Sequence, residues 1–179
     1  MTTCANPTDS ETGKYLHLTQ SYCEGVGVDI GSQGSPVVPW AINFDLPAAE
    51  FSYYNDNHPP RGPIQLEGHA DSLPFVSNSL DFVYSSHLLE DFLTWMPILK
   101  EWVRTLKVGG YLVILVPDKE LWAAALAKGQ PPNCAHKHES EVGELTSYAP
   151  ELNVEVLKDE LTAQFDGDYS VLFVARKKP

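Results

Sequence analysis

The chain has 179 residues, with 12 Lys and Arg against 24 Asp and Glu, a formal charge of −12 with its six histidines neutral. That is the length of one domain, and 43% hydrophobic with 20% charged residues excludes a chain that stays unfolded. The acidic surplus repels nucleic-acid phosphates and anionic lipid at long range, so the expected partner is a small molecule, with no nucleic acid and no membrane. Cys4, Cys23 and Cys134 are odd in number and scattered, unlike a disulfide framework. No apolar run reaches the roughly 18 residues that span a bilayer, and residues 1–10 lack the basic start and apolar stretch of a signal peptide. A cytoplasmic location is expected.

Residues 1–14 are polar and turn-rich and are expected to be a flexible lead-in to a single domain over 15–179. The run from Gly25 to Ile30 suits a buried strand entering a tight loop, Gly31 to Gly34. A second strand, Trp40 to Asp45, follows after too few residues for a full crossover helix. One helical turn is expected around Ala48 to Tyr54 within a proline-rich loop. Ile64 to Glu67 and Leu80 to Ser85 read as the third and fourth strands. Apolar residues from Leu88 to Leu106 recur at steps of three and four, predicting a short helix over Ser86 to Phe92. A longer one starts near Met96, has Pro97 in its first turn and ends at Gly109-Gly110. The six apolar residues Tyr111 to Val116 read as a central strand buried on both faces. Lys119 to Lys128 is helix-like, Gly129 to Pro150 a long polar loop, and Asn153 to Leu157 and Tyr169 to Arg176 two strands joined by a turn at Phe165 to Asp168. The expected fold class is α/β, a mostly parallel sheet with an antiparallel C-terminal strand.

In such a sheet the ligand crevice lies beyond the carboxyl ends of the strands. The candidates are therefore Gly31 to Ser35, Asp45, His69 to Asp71 and Ser85 to His87, four segments from four strand ends. Cys134, His136 and His138 alternate and would share a side in an extended segment, but no fourth ligand is visible and no metal is expected. An imidazole titrates near working pH, so His136 or His138 suits a general base for a hydroxyl.

Val28-Asp-Ile-Gly-Ser-Gln-Gly34 resembles the first motif of class I S-adenosylmethionine-dependent methyltransferases. The segments Leu66 to Phe75, Ser79 to Glu90 and Leu106 to Asp118 resemble the family's later strand regions in order and spacing, and Ala135-His-Lys-His138 resembles a loop of its small bacterial members. The resemblance implies a Rossmann-like methyltransferase fold with abbreviated helices near the N-terminus, and S-adenosylmethionine as cofactor. It implies that Gly31 leaves room for the cofactor's amino-acid end beside Ser32 and Gln33, that Asp29 faces the methionine ammonium, and that Asp45 takes both ribose hydroxyls. His69, Ala70 and Asp71 would read adenine, with Leu46 and Leu73 sandwiching the ring. Ser85 and His87 would border the methionine side, and His87, His136 or His138 would take a proton from a hydroxyl acceptor. The acceptor class it implies is a small molecule or a sugar or lipid intermediate.

The chain departs from that pattern at Gln33, where the first motif normally has a glycine, and at His69, where an acid is usual. These departures and the short first crossover motivate an alternative, a degenerate methyltransferase fold that binds a ligand or partner without catalysis. A nicotinamide-dependent oxidoreductase is disfavoured because Pro36 and Pro39 interrupt the helix that its glycine pattern must enter. An exposed sheet edge or uncovered apolar surface could pair two copies as a homodimer.

Overall fold

Short apolar, β-branched runs bounded by turn residues pair side by side at the centre of the molecule. The computed structural model describes residues 11–47, 62–130, 132, 133, 135–165 and 167–179. The runs become β1 (Gly27–Ile30), β2 (Ile42–Asp45), β3 (Leu66–Glu67), β4 (Leu80–Ser86) and β5 (Leu106–Pro117), all parallel to one another. The two last strands, β6 (Val154–Leu161) and β7 (Ser170–Lys177), form an antiparallel hairpin, and β7 also pairs antiparallel with β5. The seven-stranded sheet has the order β3-β2-β1-β4-β5-β7-β6. This is the mostly parallel sheet with an antiparallel C-terminal strand that the sequence predicts, and Asp168 N–H donates to the Phe165 carbonyl (3.1 Å) in the expected turn.

Helices cover the two faces unequally. α1 (Glu11–Thr19) lies on one, while α2 (Met96–Thr105) and α4 (Glu144–Leu152) lie on the other; α3 (Lys119–Ala127) buries none of its residues. Residues Ile98, Leu99, Trp102 and Val103 of α2 and Leu145, Ala149 and Leu152 of α4 complete one apolar core with Val28, Ile30, Val83 and Ile114. The opposite core joins Tyr15 of α1 and Cys23 to Phe82, Tyr84, Val113 and Leu172. There the turn-rich segment carrying Val37, Val38 and Ala41 takes the place of a crossover helix. Eleven residues, Gly31 to Ala41, connect β1 to β2 without a helix, as their number predicts.

Several expectations are corrected. β4 runs through Ser86, and His87 follows at φ 52°, so Ser86 to Phe92 forms no helix beyond a single 3₁₀ turn at Leu89–Asp91. The α2 helix stops at Thr105 because Leu106 is already extended. Gly109 and Gly110 lie inside β5, near the point where pairing with β4 shifts register between Leu80 and Phe82. The loop expected over Gly129 to Pro150 contains α4, with Pro150 tolerated in its last turn. The lead-in expected to reach residue 14 is already helical from Glu11. The turn expected at Ala48 to Tyr54 lies outside the described residues.

One buried polar joint ties α1 to the C-terminal hairpin. The Tyr15 hydroxyl donates to Asp168 Oδ1 (2.7 Å) and lies 2.8 Å from Ser170 Oγ. Burial pushes the Asp168 carboxyl up, but bonds from Thr162, Gln164, Tyr15 and Ser170 outweigh it and hold the group below its ordinary range. Tyr15→Phe removes the hydroxyl while keeping the ring, and is expected to cost about 1–2 kcal/mol in urea unfolding. Stability from Asp168 is present above the ordinary carboxylate range and is lost as pH falls through its depressed folded value, so in the variant, whose folded value is less depressed, the acid-side loss should be smaller and should end at higher pH.

Candidate functional site

The chain leaves β1 towards β2 and β3 on one side and returns through β4 to β5 on the other, so strand order reverses between β1 and β4. In open sheets of this kind the loops diverge at such a point, and a ligand crevice is expected beyond the strand ends. Its two walls begin at Gly31, after β1, and at His87, after β4.

The wall after β1 is held by side chains that bond its backbone. Gly31 N–H donates to the Phe44 carbonyl (3.0 Å), Ser32 Oγ to Asn43 Oδ1, and Asn43 Nδ2 to the Pro63 carbonyl (2.7 Å). Asp45, at the tip of β2, accepts the Gln33 N–H on Oδ2 and its neighbour Leu46 N–H on Oδ1, both at 2.8 Å. Each carboxylate oxygen thus spends one acceptor position on the main chain and keeps another. A Cβ on Gly34 would stand 2.1 Å from the Gly62 carbonyl oxygen, so at that point two backbones touch. At Gly31 (φ 79°) a Cβ would meet Leu88 Cδ2 at 2.9 Å. The turn and Leu88 both demand the glycine. Gln33 sits at φ 49°, a conformation that favours glycine, which accounts physically for the residue type expected there.

Asp29 is 1% exposed and accepts the Val37 N–H on Oδ2 (2.6 Å), so it fastens the far end of the same loop. Burial pushes its carboxyl well above the ordinary range; the Val37 bond opposes this and the charge of Asp45 adds to it. Burial also raises Asp45, against the two N–H groups that stabilise its anion. Gly68 N–H bonds the Asp45 carbonyl (2.8 Å) and brings the adenine-reading candidates alongside. Among them His69 and Asp71 are exposed. Ala70 is buried with its carbonyl taken by Trp102 Nε1 (2.8 Å), and Leu73 packs into the core. Leu46 is half-buried, and Ser85 Oγ donates to the Ile30 carbonyl (3.0 Å), tying β4 to β1.

The second wall gathers histidines and aromatic rings. His87 Nδ1 lies 3.4 Å and His136 Nε2 3.5 Å from the same oxygen, Oε1 of Glu90. The His87 Nε2 is 3.0 Å from Ser170 Oγ, and its ring meets Tyr169 edge-on. Trp122 of α3 packs against both His136 and Tyr169. Asp118 caps α3 by accepting the Glu120 and Leu121 N–H groups (both 3.1 Å), which fixes where Trp122 points. His138 turns to other partners, with Nε2 2.6 Å from Glu144 Oε1 and its ring stacked on Trp95. Burial lowers the His136 imidazole, Glu90 opposes that, and His87 reinforces it. Cys134 lies outside the described residues, and among those described no three His, Cys, Asp or Glu side chains are arranged to hold a metal ion. Sequence reasoning missed Glu90, Trp122, Tyr169 and Ser170; the available sign was an acid inside an apolar run three residues after His87.

Two outcomes test this wall-building. Gln33→Gly is expected to stabilise the protein by about 1 kcal/mol in urea unfolding, because a left-handed backbone costs an L-residue roughly that much. The raised folded value of Asp29 means that its favourable contribution is complete below the ordinary carboxylate range and is lost as pH rises through the folded value. Asp29→Asn, which can still accept the Val37 N–H, should therefore melt above the wild type near pH 7, with the gap closing towards pH 4 in thermal scans.

Similarity to known proteins agrees with this architecture. No curated protein matches the chain. Among solved structures, an S-adenosylmethionine-dependent methyltransferase from Mesorhizobium loti is 17% identical, with 96% of this chain and 100% of that one covered at a TM-score of 0.69. A SAM-dependent methyltransferase from Thermotoga maritima is 22% identical over 93% and 89%, TM-score 0.68. A complex of the Haloferax volcanii Trm112 methyltransferase activator with a methyltransferase matches at 17% identity over 94% and 89%, TM-score 0.65. These likenesses establish the fold. No helix among the described residues is long and apolar enough to cross a membrane. The sequence profile of the methyltransferase domain matches residues 16–114, more than half the chain, from α1 into β5 and including the wall after β1 with His87 and Glu90. The chain belongs to the methyltransferase domain family.

Proposed function

We propose that this protein is an S-adenosylmethionine-dependent methyltransferase acting on a small molecule or a sugar or lipid intermediate. The observation that carries the reading is Asp45. Its carboxylate stands at the tip of β2, and each oxygen retains an acceptor position after bonding Gln33 or Leu46, which suits two adjacent sugar hydroxyls. The residues present fit the cofactor on that ground. Asp45 would hold the ribose, the backbone from Gly31 to Gln33 with Asp29 behind it the amino-acid end, and His69 with Asp71 the adenine edge. Ser85 would border the methionine side. When bound, the cofactor supplies an electrophilic methyl group on a sulfonium sulfur.

The protein's own part is to align the acceptor and exclude water. His87 and His136, each half-buried, stand at the end of β4 and beside α3, where either imidazole takes a proton from a hydroxyl. His138, already bonded to Glu144, is the weaker candidate. The acidic surplus favours an acceptor that is not a polyanion. Isothermal calorimetry with S-adenosylmethionine and with S-adenosylhomocysteine tests the reading. Micromolar binding is expected, weakened about 30-fold by Asp45→Ala, the effect of losing hydrogen bonds to a charged group. Silence from both cofactor forms at millimolar concentration would overturn it in favour of a fold that binds without catalysis.

A further inference from the structure

The Glu90 carboxylate is wholly buried, 0% exposed, and neither oxygen has a hydrogen bond among the described residues. A buried carboxylate in that condition costs free energy unless a cation compensates it. The ion-pair partners that the described residues offer it are two imidazoles, both addressing Oε1 from opposite segments of the chain, His87 from the end of β4 and His136 from the loop before α4. The Glu90 carbonyl is meanwhile bonded by the N–H groups of Lys137 (2.9 Å) and His138 (3.0 Å), so main chain as well as side chain holds the His136 loop over this residue.

Charge decides how many protons the trio carries. With both imidazoles neutral the carboxylate has no counter-charge; with both protonated two cations face one anion. One proton distributed over the pair leaves the trio neutral. The charge of His87 acts against a proton on His136 and that of Glu90 acts for it, while burial acts against any charge there. Polar and charged groups around the trio include Tyr169 and Ser170 from β7 and its approach, with Tyr15 of α1 and Asp168 behind Ser170, and Trp122 of α3 against His136.

We propose that Glu90 is a positioning residue that binds His87 and His136 into one unit holding a single proton, and that the methyl acceptor is a hydroxyl or N–H group that must give up a proton as it is methylated. The acceptor class rests on the methyl-transfer reading above. The acceptor's electron pair forms the new bond to the methyl carbon as the carbon–sulfur bond breaks, with its pair left on the departing thioether. The acceptor's O–H or N–H bond yields its proton to whichever imidazole lacks one. The unit passes from neutral to singly positive, so the positive charge that the site holds before transfer is still there afterwards.

The test is a nitrogen-15 NMR pH titration of the histidine side chains in the full chain, without substrate, on the wild type, Glu90→Gln and His136→Asn. In the wild type, His87 and His136 should share one proton at neutral pH, each showing a partial protonation shift. Glu90→Gln should lose about tenfold in the ratio of protonated to neutral imidazole at that pH. The His136→Asn variant should carry the whole proton on His87, whose shift rises from partial to full, and it decides the question alone if Glu90→Gln does not fold. Unchanged titration of both histidines in Glu90→Gln, or of His87 in His136→Asn, overturns the unit. Calorimetry with S-adenosylhomocysteine on the same samples separates the two readings. Ligand binding with uncoupled histidines overturns the inference alone, whereas coupled histidines without binding overturn methyl transfer and the acceptor class with it.

Discussion

Two backbone N–H groups, those of Gln33 and Leu46, meet the two oxygens of one carboxylate at the tip of β2, and the geometry of the crevice follows from that meeting. A turn after β1 has no helix to terminate it here, so its N–H groups need acceptors from elsewhere. Asp45 supplies one and Asp29, through Val37, another. The loop is therefore shaped by the side chains of the strands that flank it rather than by a following helix, and the acids available for a polar ligand are the same acids that hold the wall upright.

The second wall depends on a different kind of constraint. His87 occupies a left-handed conformation that only surrounding contacts sustain, and its N–H is held by the Leu115 carbonyl (2.9 Å) while its ring is held by Ser170 and Tyr169. Those contacts come from β5 and β7, strands far away in sequence. The antiparallel hairpin at the C-terminus thus closes the sheet and also fixes an imidazole at the end of β4, and Tyr15 joins α1 to the same assembly through Ser170.

Much of the scaffold was legible because burial on both faces leaves a plain mark. The unbroken apolar run in β5, the short runs of β1 and β2, and Asp45 at a strand tip all follow from local pattern. Illegible elements were those whose cause is distant or opposed by local signals. α4 buries only Leu145, Ala149 and Leu152 among polar neighbours and carries Pro150, so its period is faint. The Gly109-Gly110 pair reads as a helix stop but serves a bend inside a strand. Leu88 to Phe92 has helical spacing, yet Leu89 and Glu90 are buried by a single turn. Nothing local to Glu90 announces that two histidines 49 residues apart converge on it, and nothing local to Gly34 announces its contact with Gly62.

The missing crossover helix has a thermodynamic consequence. A helix between β1 and β2 would hang on the sheet as a separate lever, free to tilt and to fray at the end nearest the crevice. Eleven residues folded into successive turns by the Ser35 and Ala41 N–H bonds to Ser32 and Val38, and anchored through Val37, Val38 and Ala41, have little conformational freedom left to surrender. A guest entering beside that segment meets a surface whose ordering entropy was spent during folding, so association there should leave the amide dynamics of the segment nearly unaltered.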